Sequence, residues 1–352
     1  MSKTRLSEAI QDYEHYRLSD GIAANTRVNE QGTLKQFLKS VGDLQLASLR
    51  EHHMTDYFTE RSKSVQASTL RLDMTRINVF LTWARNTRRM PRDLDPLAGR
   101  RGPRVIKKER RRVHVSKFPH LLEVAESRCA RDRMLVALGL YSLLRDQEML
   151  SIRLRDVDLD SGTLFVRVHK AAEEDTLGIS PALDRELRRW LRIYQDVSGP
   201  LQPDWFLIPA RKTHITNNGL VNGGVTEYVP HKSVSRSYRI VGPVLKAFGF
   251  PVADEEGESN REGAHTLRRS GARALYDLWV EEGNIDALNM VRVTLHHADL
   301  KMTQHYIGLK EDRKTRNDLI HAVRYPFESE NVVSIERGDG ESQNRVDVVR
   351  QG

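Results

Sequence analysis

Four separated groups of residues in this 352-residue chain are of types that can hold and attack an anionic ester. Arg145 stands three positions before Glu148, so on a helix the two share a face. Such a carboxylate can hold the guanidinium or cap local backbone, and alone the pair is more often a simple ion pair between helices. Lys170 falls at the tip of an expected hairpin, where a lysine can deliver a proton or only add solubility. The acidic residues Glu173, Glu174 and Asp175 beyond it are unusual for a loop that approaches an anionic partner. His265 and Arg268 share a helix face near its start, while Leu267 turns inward and Gly271 and Ala272 permit close helix packing. That pair suits two donors converging on one oxyanion. Finally, His297 precedes Tyr306 by nine residues, across a short turn that Asp299 can cap. Such a tyrosine is by itself usually half-buried packing. His296, His297 and His305 lack the two-histidine helical spacing and companion ligands of a zinc site, so no metal is expected.

The elements that must position these residues fall into two parts. Residues 5–90 carry apolar residues at helical intervals in four runs. Ser7 is a plausible N-cap ahead of Ala9, Ile10, Tyr13 and Tyr16, and Asn25-Thr26 opens the run with Leu34, Phe37 and Leu38. A third run goes from Leu49 through Met54, Tyr57 and Phe58. Ser68-Thr69 opens the fourth, with Leu72, Ile77, Phe80, Leu81 and Trp83 as its stripe. Between Pro91 and Ser116, glycines and prolines interrupt a basic run of Arg100, Arg101, Arg104, Lys107, Lys108, Arg110, Arg111 and Arg112. This reads as an exposed, extended linker whose cations either contact phosphates or are merely solvated. From Val113 the texture is mixed. Helices are expected over 118–125, 131–144, 183–194, 233–248, 265–281 and 285–295, with a strand at 163–168. A turn at 171–175 and a partner strand at 177–179 complete the hairpin, and 201–230 reads as loops. The expected domains are therefore a helical one (1–95), a basic linker (96–115), a mixed domain (116–326) and a polar, mobile tail (327–352).

Bulk properties bound the partners. A formal net charge of +8 favours an anionic partner. Cys129 is the single cysteine, which excludes an intrachain disulfide and a cysteine-based zinc site and suits a reducing cytoplasm. No stretch approaches the roughly 18 apolar residues of a membrane span, and no apolar signal segment opens the chain.

Taken in order, Arg145-x-x-Glu148, a hairpin Lys170, His265-x-Leu-Arg268, then His297 with Tyr306, the four groups resemble the tyrosine recombinases, the phage integrases and Xer-type resolvases. The resemblance covers nearly the whole chain, and its second half is the specific part. It implies a multidomain protein, mainly α with a small β-sheet: a helical SAM-like core-binding domain and a mixed α/β catalytic domain forming a C-shaped clamp around DNA. It implies that Tyr306 forms a 3′-phosphotyrosine and frees a 5′-hydroxyl, with no metal or nucleotide cofactor. Arg145 and Arg268 would bind the nonbridging oxygens, Lys170 would be the general acid, His265 would assist proton transfer and His297 would bind phosphate or orient the tyrosine. Glu148 would support Arg145. The implied partners are double-stranded DNA carrying specific sites, three further copies in a tetramer on DNA with a monomer when free, and an accessory directionality factor, with no membrane. The segment 312–323 would dock on a neighbouring copy, and no arm-binding module is expected before the first helix.

Two departures stand out. His296 occupies a position where the family often has glycine, which makes it a rival to His297. Arg145 is preceded by Ser-Leu-Leu in place of the frequent Gly-Leu, so the local turn can differ. A DNA-binding protein without catalysis and a type IB topoisomerase-like enzyme are the alternative readings. The full set of reacting groups speaks against the first and the core-binding half against the second.

Overall fold

A computed structural model of the chain describes residues 4–105, 111–168, 173–212, 227–250 and 262–309. The chain divides into two compact units, Met1–Lys108 and Glu109–Gly352. The first contains α1 (Leu6–Ser19), α2 (Ala24–Val41), α3 (Glu51–Ser62) and α4 (Ala67–Asn86). Its core follows from helical spacing: Leu6, Ala9, Ile10 and Tyr13 on α1 meet Leu34, Phe37, Met54, Tyr57 and Phe58, closed by Leu70, Ile77, Phe80 and Leu81 on α4. Asp73 is buried among them and satisfied, accepting from Thr33 Oγ1 at 2.9 Å and from Arg61 Nε at 3.0 Å.

Three expectations for this half need correction. Ser7 does not cap α1, which begins at Leu6. Its N–H and hydroxyl instead donate to the carboxylate of Asp43, at 2.9 and 3.0 Å, so a distant side chain does the work of a local cap. Leu72 is off the apolar stripe and 53% exposed, because two residues past buried Leu70 is about 200° round the helix. The basic stretch is not extended throughout. Leu97 is buried in the first unit's core, and Arg100 lies over the Phe58 ring and donates to Thr55 Oγ1. At the far end Val113 is buried in the second unit, and its N–H donates to Ser270 Oγ at 2.8 Å. Apolar residues inside a charged run are drawn into the nearest core. Arg101 and Arg104 remain exposed. Lys107, Lys108, Arg110 and the 312–323 and 327–352 segments lie outside the described residues.

The second unit runs α5 (Phe118–Glu126), α6 (Ala130–Tyr141), α7 (Asp146–Ser151), β1 (Val157–Asp158), β2 (Thr163–Val168), β3 (Glu173–Gly178), α8 (Pro181–Ser198), β4 (Pro209–Arg211), β5 (Tyr228–Ser233), α9 (Tyr238–Ala247), α10 (Ala264–Glu281), α11 (Ala287–Thr294) and α12 (Leu300–Ile307). Strands β1, β2 and β3 form an antiparallel sheet in that order, and β4 pairs with β5. The region expected to be loops thus contains β4 and the first half of β5, and α9 starts at Tyr238 where a helix was expected from Ser233. β3 is also longer than expected and includes Asp175. Pairing along all of β2, from Thr163↔Gly178 to Val168↔Glu173, outweighs the poor strand propensity of its acidic residues. α6 stops at Tyr141, short of the expected Leu144, because Leu143 adopts a left-handed backbone with φ 55°.

What brings the reactive segments together is the contact of α6 with α10. A Cβ at Gly271 would lie 1.8 Å from the carbonyl oxygen of Leu140, so only glycine allows α10 to approach this closely. A small cluster of Leu143, Ala272, Val291, Leu295 and Ile307, with Tyr306 packed on it, then ties the end of α6 to α10, α11 and α12.

Candidate active site

Arg145 is the residue before α7, and its backbone N–H donates to Glu148 Oε2 at 2.7 Å. Its Nη1 donates to Glu148 Oε1 at 2.9 Å, so one carboxylate both caps the backbone and holds the guanidinium. Its Nη2 points to the carbonyl oxygens of Leu295 and His296, at 3.2 and 3.3 Å.

Arg268 comes from the second turn of α10 and is only 2% exposed. It donates to the carbonyl of Leu143 and, at 2.6 Å, to that of Leu295, with Glu148 Oε2 at 3.6 Å from Nη1. Burial pushes its guanidinium below the usual arginine range. Tyr306 opposes that shift, neighbouring Arg145 adds to it, and Glu148 again opposes it. Both arginines therefore converge on one turn, Leu295–His297, with Glu148 beneath them. Guanidinium groups carry five N–H donors each, so these contacts leave donors for an incoming oxyanion.

The backbone around them is held in unusual conformations at two non-glycine positions. Leu143 and His296 have φ of 55° and 49°. These are the two places where the resembling family often has glycine, the residue that adopts this conformation without a steric penalty. Strain of roughly 1 kcal/mol at each is expected for a side chain in that region. Leu143 offsets it by burying its side chain among Ala272, Val291, Leu295 and Ile307.

His297 and His296 diverge. The His297 ring is buried, with Nδ1 3.0 Å from Thr303 Oγ1 and its plane edge-on to the Tyr306 ring at 5.2 Å. Burial, then the positive fields of Arg268 and Arg145, push its pKa down to about 4, so the ring is neutral at neutral pH. His296 turns the other way, and its Nε2 lies 2.8 Å from Asp175 Oδ2.

Tyr306 is in the last turn of α12, which Asp299 caps by accepting from Met302 N at 2.7 Å. The phenol is half-buried against Arg268, and its hydroxyl donates to the carbonyl of His265 at 3.4 Å. Burial raises its pKa, while Arg268, Arg269 and Arg145 pull it back. The His265 side chain is exposed at the start of α10, while its backbone carbonyl is the one the Tyr306 hydroxyl reaches. Lys170 lies between β2 and β3, outside the described residues.

The geometry thus joins Arg145, Glu148, Arg268, His297 and Tyr306, with the backbone carbonyl of His265 at the edge. Sequence reasoning missed Thr303, beside His297, and Asp175, beside His296. Only the strand register could have found Asp175. It also missed the place of Arg112, whose guanidinium lies 1.7 Å from where a Cβ on Gly308 would be, against the C-terminal end of α12. Arg111 is likewise engaged, its carbonyl accepting from Arg269 at 3.2 Å. Among the described residues no group of histidine, cysteine and acidic side chains is placed to hold a metal ion, and no helix is long and apolar enough to cross a membrane.

Comparison with known proteins shows the family and the fold. The tyrosine recombinase XerA of Thermococcus kodakarensis is 25% identical over 303 residues, covering 85% of this chain and 90% of the relative. The tyrosine recombinase XerC of Vibrio parahaemolyticus is 25% identical over 204 residues, covering 55% of this chain; the chain spans 64% of that relative's length. In fold, the chain is similar to a lambda integrase dimer bound to a COC′ core site, with a TM-score of 0.65 at 16% identity over 87% of this chain and 78% of that one. The model of the phage integrase family matches residues 111–313, the part that contains every reactive group described above, and the chain belongs to that family of tyrosine recombinases.

Proposed function

We propose that the protein is a site-specific DNA recombinase, an integrase of a phage or mobile element, that cuts and rejoins strands through Tyr306. The observation that carries this reading is the convergence of Arg145, Arg268 and His297 beside the Tyr306 hydroxyl. Tyr306 Oη attacks phosphorus, the phosphorus bond to the 5′ oxygen breaks, and a 3′-phosphotyrosine holds the strand. Its raised pKa means that the phenol arrives protonated, so a base must take the proton, and in this reading His265 assists that transfer. Lys170 supplies a proton to the departing 5′ oxygen. Arg145 and Arg268 bind the nonbridging oxygens, and their donors are fixed before substrate arrives because Glu148 and three carbonyls orient them. His297, neutral in this environment, hydrogen-bonds the phosphate without adding charge to an already cationic site.

The reverse attack by a 5′-hydroxyl re-forms the phosphodiester, so no nucleotide cofactor is needed. The net charge of +8 and the exposed Arg101 and Arg104 favour double-stranded DNA as partner, bound with strong salt dependence. A lambda integrase tetramer bound to a Holliday junction has a similar fold, with a TM-score of 0.63, and supports four copies acting on two sites. The test is strand exchange. Duplex fragments that the protein captures covalently from a random library are placed in pairs on a plasmid. Recombinant products are expected. Relaxation of supercoils without exchange would point instead to a topoisomerase, and binding without capture to a non-catalytic role.

A further inference from the structure

The pairing of β2 with β3 sets Asp175 opposite Val166 and Leu177 opposite Leu164. Opposed residues of an antiparallel pair share a face, and Leu164 and Val166 are both buried in the core. Asp175 therefore stands on the same face of β3 as Leu177, while Glu174 and Thr176 face solvent. The Asp175 side chain is 40% exposed, so the carboxylate can stay in water or take a partner. It has one: Oδ2 lies 2.8 Å from Nε2 of His296, the residue that holds a left-handed backbone between α11 and α12. The carbonyl oxygen of His296 accepts from Arg145, and that of the preceding Leu295 accepts from both Arg145 and Arg268. The hairpin strand and the arginine-orienting turn are thus joined by one side-chain hydrogen bond. The strain at His296 is the cost of directing its ring toward β3 while its carbonyl faces Arg145.

We propose that Asp175 is a positioning residue for strand cleavage: through His296 it fixes the α11–α12 turn, and with it the carbonyls that orient Arg145 and Arg268. This rests on the recombinase reading given above. The tie touches neither substrate nor phosphorus. It acts on how well the forks are aimed before the phosphate binds, a geometry in which small displacements matter.

The test is a double-mutant cycle on the full chain with two readouts. Asp175→Val and His296→Gly each remove the tie, and Asp175→Asn keeps an oxygen acceptor. Single-turnover cleavage of captured DNA is expected to slow about tenfold to a hundredfold in either single variant, with the double variant no slower than the worse single. DNA affinity should stay within about twofold, since no DNA-facing charge of the arginines is removed. Asp175→Asn should recover most of the rate. Amide hydrogen exchange over residues 294–298 is expected to quicken in Asp175→Val and to be no faster again in the double variant. Independent, additive effects on rate, or an exchange pattern at 294–298 that ignores Asp175, would overturn the proposal. Coupled exchange with an unchanged cleavage rate would overturn it as well. Loss of cleavage in the wild type would count against the recombinase reading alone, because the exchange readout does not depend on activity.

Discussion

Nη2 of Arg268 lies 2.6 Å from the carbonyl oxygen of Leu295, joining the helix that carries His265 to the turn that leads to Tyr306. Arg145 reaches the same oxygen at 3.2 Å. One carbonyl thus sets the spacing of two cations that would otherwise repel, and Glu148 beneath them supplies the neutralising charge. The consequences are open to measurement.

Glu148→Ala should be among the most damaging substitutions in the chain. The carboxylate is 1% exposed and serves both arginines and the start of α7, so its loss strands buried positive charge. A loss of roughly 3–5 kcal/mol is expected from breaking a buried pair on one side, read by urea denaturation. Glu148→Gln keeps the acceptor to Arg145 N and should cost clearly less.

Arg268→Lys should fold but cleave poorly. An ammonium cannot reach the carbonyls of Leu143 and Leu295 together with a phosphate oxygen, as the planar fork can. Cleavage is expected to fall about a hundredfold to a thousandfold, the loss typical of removing one oriented donor to a developing oxyanion. Single-turnover rates at saturating DNA give the comparison.

Stability should decline with acid in a way that His297 controls. Its folded pKa, about 4, lies below the ordinary 6.5, so between those values the unfolded chain binds more protons than the folded one. Stability is therefore highest above pH 6.5, falls as pH drops toward 4 and levels below that, by roughly 3 kcal/mol in total. Denaturation midpoints across that window should show the slope in the wild type and a shallower one in His297→Gln.

Gly308→Ala should loosen the nucleophile's helix. Gly308 ends α12 at φ 79°, a left-handed conformation strained for alanine, and the Arg112 guanidinium beside it would have to move aside for a methyl group. A cost of about 1–2 kcal/mol and a slower cleavage rate are expected, measured by thermal melting and covalent capture.

Much of the site was legible from residue spacing because its parts are local. His265 and Arg268 on one helix, Arg145 and Glu148 around one helix start, and Asp299 capping the helix of Tyr306 all follow from rules that act within a few residues. What spacing could not reveal depends on distant partners. Asp43 replaces the expected cap at Ser7, β2 imposes strand structure on acidic Asp175, and buried Leu97 and Val113 pull the ends of the basic stretch onto the two cores. His296 and His297 are indistinguishable as letters. A left-handed backbone at the first, which only the carbonyl contacts of Arg145 and Arg268 make intelligible, sends the rings in opposite directions.

The central claim concerns a single covalent bond. Incubation with a nicked duplex carrying a captured site, followed by denaturing electrophoresis and mass spectrometry of the protease digest, reads that bond directly. A nucleotide adduct on the peptide containing Tyr306, absent from Tyr306→Phe, is the expected result. An adduct of equal yield in Tyr306→Phe, or one mapped to another residue, would contradict it.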